Sequence, residues 1–144
     1  MYRAYIKNLE DLELAYAEIP HKGHFIYGNL IEGGNLNNTD AIVGNLIEVT
    51  DEYISPEWWC SIEKGSSERY TGMKDINGKK TYEGDLVKLP TSSNNLVCKV
   101  TFKEGKFKLL IGETLWLDLC DVIRDCKIVG NINEDPELLE VQQD

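Results

Sequence analysis

What this 144-residue chain has little of narrows its chemistry first. It has two histidines and four cysteines, and none of Cys60, Cys98, Cys120 and Cys126 stands in a C-x-x-C pair. Zinc sites assemble four ligands, usually with such pairs among them, so His21 and His24, separated by Lys22 and Gly23, read as an ordinary exposed loop. No metal is expected, and the cysteines read as small, reduced, apolar residues. Neither a G-x-S-x-G nucleophile elbow nor an H-E-x-x-H helix occurs, so no catalytic residue is assigned and no cofactor is expected. No apolar run approaches the roughly 20 residues of a membrane helix. The alternating start Tyr2-Arg3-Ala4-Tyr5-Ile6 lacks the apolar stretch of a secretion signal, which leads to the expectation of a cytoplasmic protein that does not enter a membrane.

Cations are scarce as well. Fifteen Lys and Arg face 25 Asp and Glu, and a net charge of −10 argues against unaided binding to a phosphate backbone. The average hides a division. Residues 1–69 hold 5 basic and 12 acidic side chains, residues 70–111 hold 8 and 4, and residues 112–144 hold 2 and 9. One basic island lies between two acidic flanks.

Hydrophobic periodicity predicts strands at Tyr2–Lys7, Phe25–Ile31, Ile42–Thr50, Trp58–Ile62, Leu86–Leu89, Leu96–Phe102, Phe107–Ile111 and Lys127–Ile132. The stretch from Leu9 to Ile19 fits a helical face and also period 2, and a helix is expected there, ended by Pro20. Ile42–Thr50 reads either as one strand or as two folded at Gly44-Asn45. Leu115, Leu119 and Val122 predict a short helix. Asp135, Pro136 and Glu137 have the order of a helix start, with Asp135 able to cap the amides that follow, and a terminal helix through Leu138 and Leu139 is expected. Three strands share an apolar-Gly-Asn pattern, at Gly28-Asn29, Gly44-Asn45 and Gly130-Asn131. Internal duplication is conceivable there, but a glycine bulge or close strand approach is the simpler account.

The most informative stretch is YTGMKDINGKKTYEGDLVKL, residues 70–89. It is not a P-loop, because the hydroxyl residue comes one position late and Thr-Tyr-Glu-Gly-Asp does not begin a helix. It is not an EF-hand loop either, since counting from Asp75 puts Lys80 and Leu86 where glycine and glutamate are required. Asn77-Gly78 is a strong hairpin signal, because both residues tolerate the positive φ of a tight turn. Glu83-Gly84-Asp85 makes a second turn, whose acids accept turn hydrogen bonds. The strand-turn-strand run, followed by the hairpin around Lys103-Glu104-Gly105-Lys106, suits a small SH3-like barrel.

Two surfaces are candidates for partners. Lys74, Lys79, Lys80 and Lys88 interleave with Tyr70 and Tyr82, which could serve nucleic acid with cations for phosphates and rings for bases. Lysines on hairpin tips and strand edges also keep sheets from pairing with strangers, and that reading is preferred. Trp58 and Trp59 are strand neighbours and so face opposite sides. One of them, together with Trp116, is a candidate anchor for a protein interface.

The motif residues themselves resemble a known family. Tyr70, Thr71, Gly72, Asp75, Asn77 and Gly78, then Tyr82, Glu83, Gly84 and Asp85, are similar to the signature of YopX-like proteins, encoded by bacteriophages and prophages of Gram-positive bacteria. A second hallmark, Ile128-Val129-Gly130-Asn131-Ile132 followed by Asn133-Glu134-Asp135-Pro136, appears in the correct order, and Tyr2-Arg3-Ala4-Tyr5 resembles the family's opening. The resemblance implies a mainly β protein with a C-terminal SH3-like barrel, self-association as a homo-oligomer, residence in the cytoplasm of an infected bacterial host, and no enzymatic activity. The expectation is a mainly β chain with a β-rich or α/β N-terminal subdomain at 1–69 and a barrel with a short terminal helix at 70–144. Its expected role is that of a non-enzymatic protein-binding or self-assembling module whose partner is itself or a host or phage protein. The alternative is a nucleic-acid-associated protein using the surface around residues 70–88.

Overall fold

A computed structural model of the chain describes residues 1–10, 19–34, 38–90, 96–112 and 114–140. It is mainly β, with antiparallel pairing throughout the described strands, and it divides into two compact units, Met1–Arg69 and Tyr70–Asp144. Among the described residues, no helix is long and apolar enough to cross a membrane. The helix expected between Leu9 and Ile19 falls mostly on residues 11–18, outside the described residues.

The first unit is built on strands β1 (Tyr2–Tyr5), β2 (Phe25–Ile31), β3 (Thr39–Val43) and β6 (Trp59–Glu63), in the order β6-β3-β2-β1. Glu68 and Arg69, the start of β7 (Glu68–Lys74), extend the sheet past β1. Alternation sends Ala4, Ile26, Ile42 and Ile62 to one face, where they pack with Ile19 and Trp58. Burying each large side chain contributes about 1.5–3 kcal/mol. Arg3 lies on the other side of its strand and is also buried. A buried charge must be paired. Its Nε donates to Glu68 Oε1 at 3.0 Å and its guanidinium sits 4.2 Å from the centre of the Phe25 ring, which fastens the first strand to the start of β7.

The three Gly-Asn pairs prove to serve three separate close approaches. A Cβ on Gly28 would lie 2.3 Å from the Val43 carbonyl oxygen, one on Gly44 would lie 2.5 Å from Trp58 Nε1, and one on Gly130 would lie 2.5 Å from Asp135 Oδ2. No partner is shared, so local crowding explains the pattern without a duplication. Gly44-Asn45 is not a turn. The Gly44 amide donates to the Trp58 carbonyl and the Glu57 amide to the Asn45 carbonyl, so the ladder of β3 with β6 runs on into a two-stranded hairpin, β4 (Leu46–Val49) with β5 (Ile54–Pro56).

The second unit contains the rest of β7, β8 (Lys80–Tyr82), and a five-stranded sheet in the order β12-β11-β10-β9-β13. Its strands are β9 (Asp85–Lys88), β10 (Val97–Lys103), β11 (Lys106–Ile111), β12 (Leu115–Asp118) and β13 (Lys127–Asn131). Helix α1 (Leu119–Val122) and a 3-10 turn at Ile123–Asp125 link β12 to β13, and α2 (Glu137–Glu140) closes the described chain. Val87, Val100, Leu109, Leu119, Ile123 and Ile128 form the centre of the core.

Three expectations need correction here. Leu115 does not begin a helix, because Leu115–Asp118 pairs with β11 and the helical turn starts only at Leu119. The sheet of the second unit does not close into a barrel: the segment Leu119–Asp125 carries the chain from one edge to the other, so β12 and β13 remain the two ends of the strand order. The tight turn with two residues at positive φ belongs to Glu104 (φ 54°) and Gly105 (φ 79°), not to Asn77-Gly78, where only Gly78 (φ 78°) adopts it.

Gly28→Ala should destabilise the first unit by roughly 1–3 kcal/mol, because backbone rather than a mobile side chain occupies the Cβ position. Urea unfolding followed by Trp fluorescence measures this, and an unchanged midpoint would show that the two strands can part without cost.

Candidate functional site

The motif of residues 70–85 is a doubly turned ribbon held by carboxylates. β7 and β8 pair at Tyr70 with Tyr82 and at Lys74 with Lys80, with an irregularity between that leaves Thr71, Gly72 and Met73 opposite Thr81. The Thr71 hydroxyl spans this gap by donating to the Thr81 carbonyl at 2.8 Å. Thr81 is fully buried, and its own hydroxyl has no partner among the described residues.

Asp75 organises the first turn. Its carboxylate is buried, and Oδ1 accepts the Asn77 and Lys79 amides, both at 2.9 Å, while Oδ2 accepts the Ile128 amide at 3.0 Å. The Ile76 amide adds a bond to the Cys126 carbonyl at 2.9 Å. A turn with few bonds of its own is thereby tied to the start of β13. Burial acts to raise the carboxyl's pKa, but the amides of Ile128, Lys79 and Asn77 and the charge of Lys79 outweigh it and hold the group below its ordinary value of 3.8. In the first unit Asp40 is held low in the same manner, chiefly by the amides of Gly65 and Gly33.

Asp85 repeats the device at the second turn, where its buried Oδ2 accepts the Tyr82 amide at 2.8 Å. Gly84, at φ 83°, donates to the Val100 carbonyl and accepts from the Ile132 amide. In the ladder Asp85 stands opposite Asn131 and Leu86 opposite Gly130, so the two separated motifs meet side by side. Asp135 Oδ2 turns back to accept the Asn131 amide at 3.2 Å, against the unsubstituted face of Gly130. This corrects the expected role of Asp135: its carboxylate holds the preceding strand, and its backbone carbonyl accepts from Leu138 at the start of α2. The Asn131 side-chain oxygen takes the amides of Asn133 and Glu134, and Pro136 follows as an exposed residue before the helix.

These contacts give the motif a structural task. The Asp75 oxygens already take three amides, and no group of three or more His, Cys, Asp or Glu able to hold a metal occurs among the described residues. His21 Nδ1 lies 3.1 Å from the Ile19 carbonyl oxygen, and His24 Nδ1 lies 2.7 Å from that of Ile6. Glu83 is half-buried beside Gly84.

The remaining candidates separate by exposure. Lys74, Lys79 and Lys80 are exposed and Lys88 is half-buried, with Lys80 Nζ 5.5 Å from the Tyr70 ring centre. Tyr82 is only 5% exposed and packs 5.3 Å from Tyr70, so it offers no open ring face for a base. Trp58 is 8% exposed in the first unit's core, whereas Trp59 is 60% exposed. Trp116 is half-buried, with Lys103 Nζ 4.3 Å from its ring centre.

Two features were not singled out from sequence. One is the β4–β5 hairpin, where Leu46, Ile47, Val49, Tyr53 and Ile54 are 49–70% exposed. The other is the outer face of β10–β12, opposite the buried Val100 and Leu109, where cross-strand partners place Lys103 beside Lys106, Thr101 beside Lys108 and Leu110 beside Trp116. Lys99 belongs to the same face by alternation. The signal for it was present as Lys99 and Lys103 on alternate outward positions of one arm of the hairpin and Lys106 and Lys108 two apart on the other.

Two predictions arise. Asp75→Asn puts an amide donor against the Ile128 amide and should cost about 2 kcal/mol or more at neutral pH. Because the folded pKa is depressed, the wild-type contribution is complete above the unfolded value and is lost as pH falls through the lowered folded one; the variant should lack this part of the acid slope in urea titrations at pH 2–7, and parallel slopes would refute the assignment. The thiols of Cys98 and Cys126 are pushed up to about 11, in both cases mainly by burial, whereas Cys120 is exposed. A thiol reagent at pH 8 should label Cys120 in the native chain well before Cys98 or Cys126, and equal rates would show that the core is open.

Comparison with known proteins agrees with this architecture. The crystal structure of protein EF1440 from Enterococcus faecalis is similar in fold, with a TM-score of 0.52 and 21% identity over 77% of this chain and 87% of that one. No curated protein matches the sequence. The family model described as YopX protein matches residues 26–140, which include both motifs and the carboxylates that join them, and the chain accordingly belongs to the YopX family.

Proposed function

We propose that this protein is a non-enzymatic protein-binding or self-assembling module acting in the cytoplasm of an infected bacterial cell. The phage or prophage setting rests on the resemblance carried by the motif residues. The binding role rests on one observation, the exposed apolar hairpin β4–β5. A two-stranded hairpin is at best marginally stable on its own, and soluble monomers rarely expose contiguous apolar patches beyond a few hundred Å².

The hairpin's register makes it amphipathic. Leu46 pairs with Pro56 and Val49 with Ile54, while a bulge between Leu46 and Glu48 adds one residue to β4. Ile54 and Pro56 are two apart and share a face, so the bulge brings Leu46 and Val49 to that face as well. Glu48, paired with Ser55, takes the other. Trp59 adds an exposed ring where β6 begins.

An SH3-like reading of the second unit fits the same role. Its four-strand meander, whose first strand takes the last strand as its other neighbour after a 3-10 turn, supports an opened SH3-like arrangement, a scaffold suited to display of loops and strand faces. The nucleic-acid alternative loses Tyr82 as a stacking ring but keeps the exposed lysines.

Val49→Thr with Ile54→Asp should leave folding stability within about 1 kcal/mol of wild type, since both positions are exposed and a threonine opposite the new carboxylate avoids a like-charge cross-strand pair. It should abolish association, whether of the chain with itself in light scattering or with a protein recovered from phage-infected cells. A variant that keeps every association of the wild type overturns the reading.

A further inference from the structure

The hairpin arm carries a charge pattern that selects its partner. From Gly44 to Glu57 it holds Glu48, Asp51, Glu52 and Glu57 and no Lys or Arg. Two such arms packed on each other would set their tip acids Asp51 and Glu52 against one another, on chains whose net charge is already −10. The partner surface should instead be basic, flat and partly apolar.

The described residues of the chain offer such a surface. The outer face of β10–β12 presents Lys99, Lys103, Lys106 and Lys108 around Leu110 and Trp116. Its acid, Asp118, is 3.4 Å from Lys106 Nζ, and Lys108 Nζ is 4.0 Å from Glu104 Oε2, so surface ion pairs of little strength engage two of the four lysines. Lys103 rests its ammonium over the Trp116 ring, and a carboxylate arriving there would meet a cation already positioned by an aromatic plane.

Resting on the binding role assigned to the arm, we propose that the arm of one copy docks on the outer face of β10–β12 of a second copy. The apolar side of the arm covers Leu110 and Trp116 while the tip acids Asp51 and Glu52 meet the lysines around them, and Glu48 stays on the arm's other side. Five side chains each leaving very roughly 100 Å² uncovered give about 500 Å² per arm, and with a like area from the face they reach the roughly 1,000 Å² that a specific interface needs. Arm and face are different surfaces and each copy offers one of each, so two copies can exchange arms about a two-fold axis or the contact can run head-to-tail to a closed ring or an open chain.

The test uses the full chain as wild type, as the arm variant Val49→Thr/Ile54→Asp, and as a face variant Lys99→Glu/Lys103→Glu/Lys106→Glu, each verified as folded by circular dichroism and thermal unfolding. Light scattering at about 50 mM and 200 mM salt should show wild-type mass rising with concentration and falling several-fold in apparent affinity at the higher salt. Each variant alone should be monomeric. Their equimolar mixture should give a discrete 1:1 pair, because one intact arm and one intact face remain. A face variant that keeps the wild-type mass while the arm variant does not would overturn this inference and leave the binding role of the arm standing. A wild type that is monomeric at every concentration also overturns it, and the binding role then stands or falls on arm-dependent recovery of another protein. Labelled single-stranded DNA bound by wild type and arm variant but lost from the face variant would give the face to nucleic acid and overturn the inference as well.

Discussion

One buried carboxylate decides the geometry of the second unit. Asp75 accepts two amides from its own turn and one from Ile128, which lies 53 residues further on. Main-chain amides removed from water must find acceptors, and a turn has too few carbonyls of its own to supply them. A single side chain with two oxygens meets that need for both segments at once, and it does so as an anion. Charge-assisted bonds of this kind are roughly twice as strong as neutral ones. Hence the register of β13 against β9 depends on a residue in neither strand.

Asp85 and Asp135 extend the principle. Asp85 closes the second turn onto Tyr82, and Asp135 closes the end of β13 onto Asn131, at a place where Gly130 has no Cβ to obstruct it. The motif glycines and acids are therefore two halves of one arrangement, in which glycine opens a space or takes a positive φ and a carboxylate fills the bonds left over. This accounts for the motif's composition without any ligand. It also explains why the glycine-rich stretch, which superficially suits phosphate, turns its amides inward to carboxylates of the same chain.

Much of the strand content was legible because alternation is a local property: Phe25–Ile31 lies where the pattern puts it, and the terminal helical turn begins after Pro136. What escaped was decided at a distance. The apolar spacing of Leu115, Leu119 and Val122 does not say that Leu115 will instead pair with Ile111, and nothing near Asp75 says that the Ile128 amide, 53 residues further on, will take its other oxygen. The pair Gly44-Asn45 has a turn's composition, yet the Trp58 indole pressed against Gly44 requires an extended ribbon there. The bulge that gathers Leu46 and Val49 onto one face is likewise invisible to a period-2 count, which places residues three apart on opposite sides.

That ribbon also explains how an exposed hairpin can be ordered before it meets anything. An isolated pair of strands cannot offset the entropy of fixing its backbone. Here the pair is not isolated, because the ladder enters it from β3 and β6 through Gly44 and Glu57, and the Asn45 amide is held by Glu57 Oε1 at 3.0 Å. Trp58 secures the root in the core, and the Thr50 hydroxyl accepts the amides of Glu52 and Tyr53 at the tip. Both ends are thus fixed by bonds that do not involve the apolar side chains between them. An exposed hairpin built in this way has much of its ordering cost met before any contact is made, so that in the proposed binding role its apolar face would select a partner by shape and its tip acids by charge.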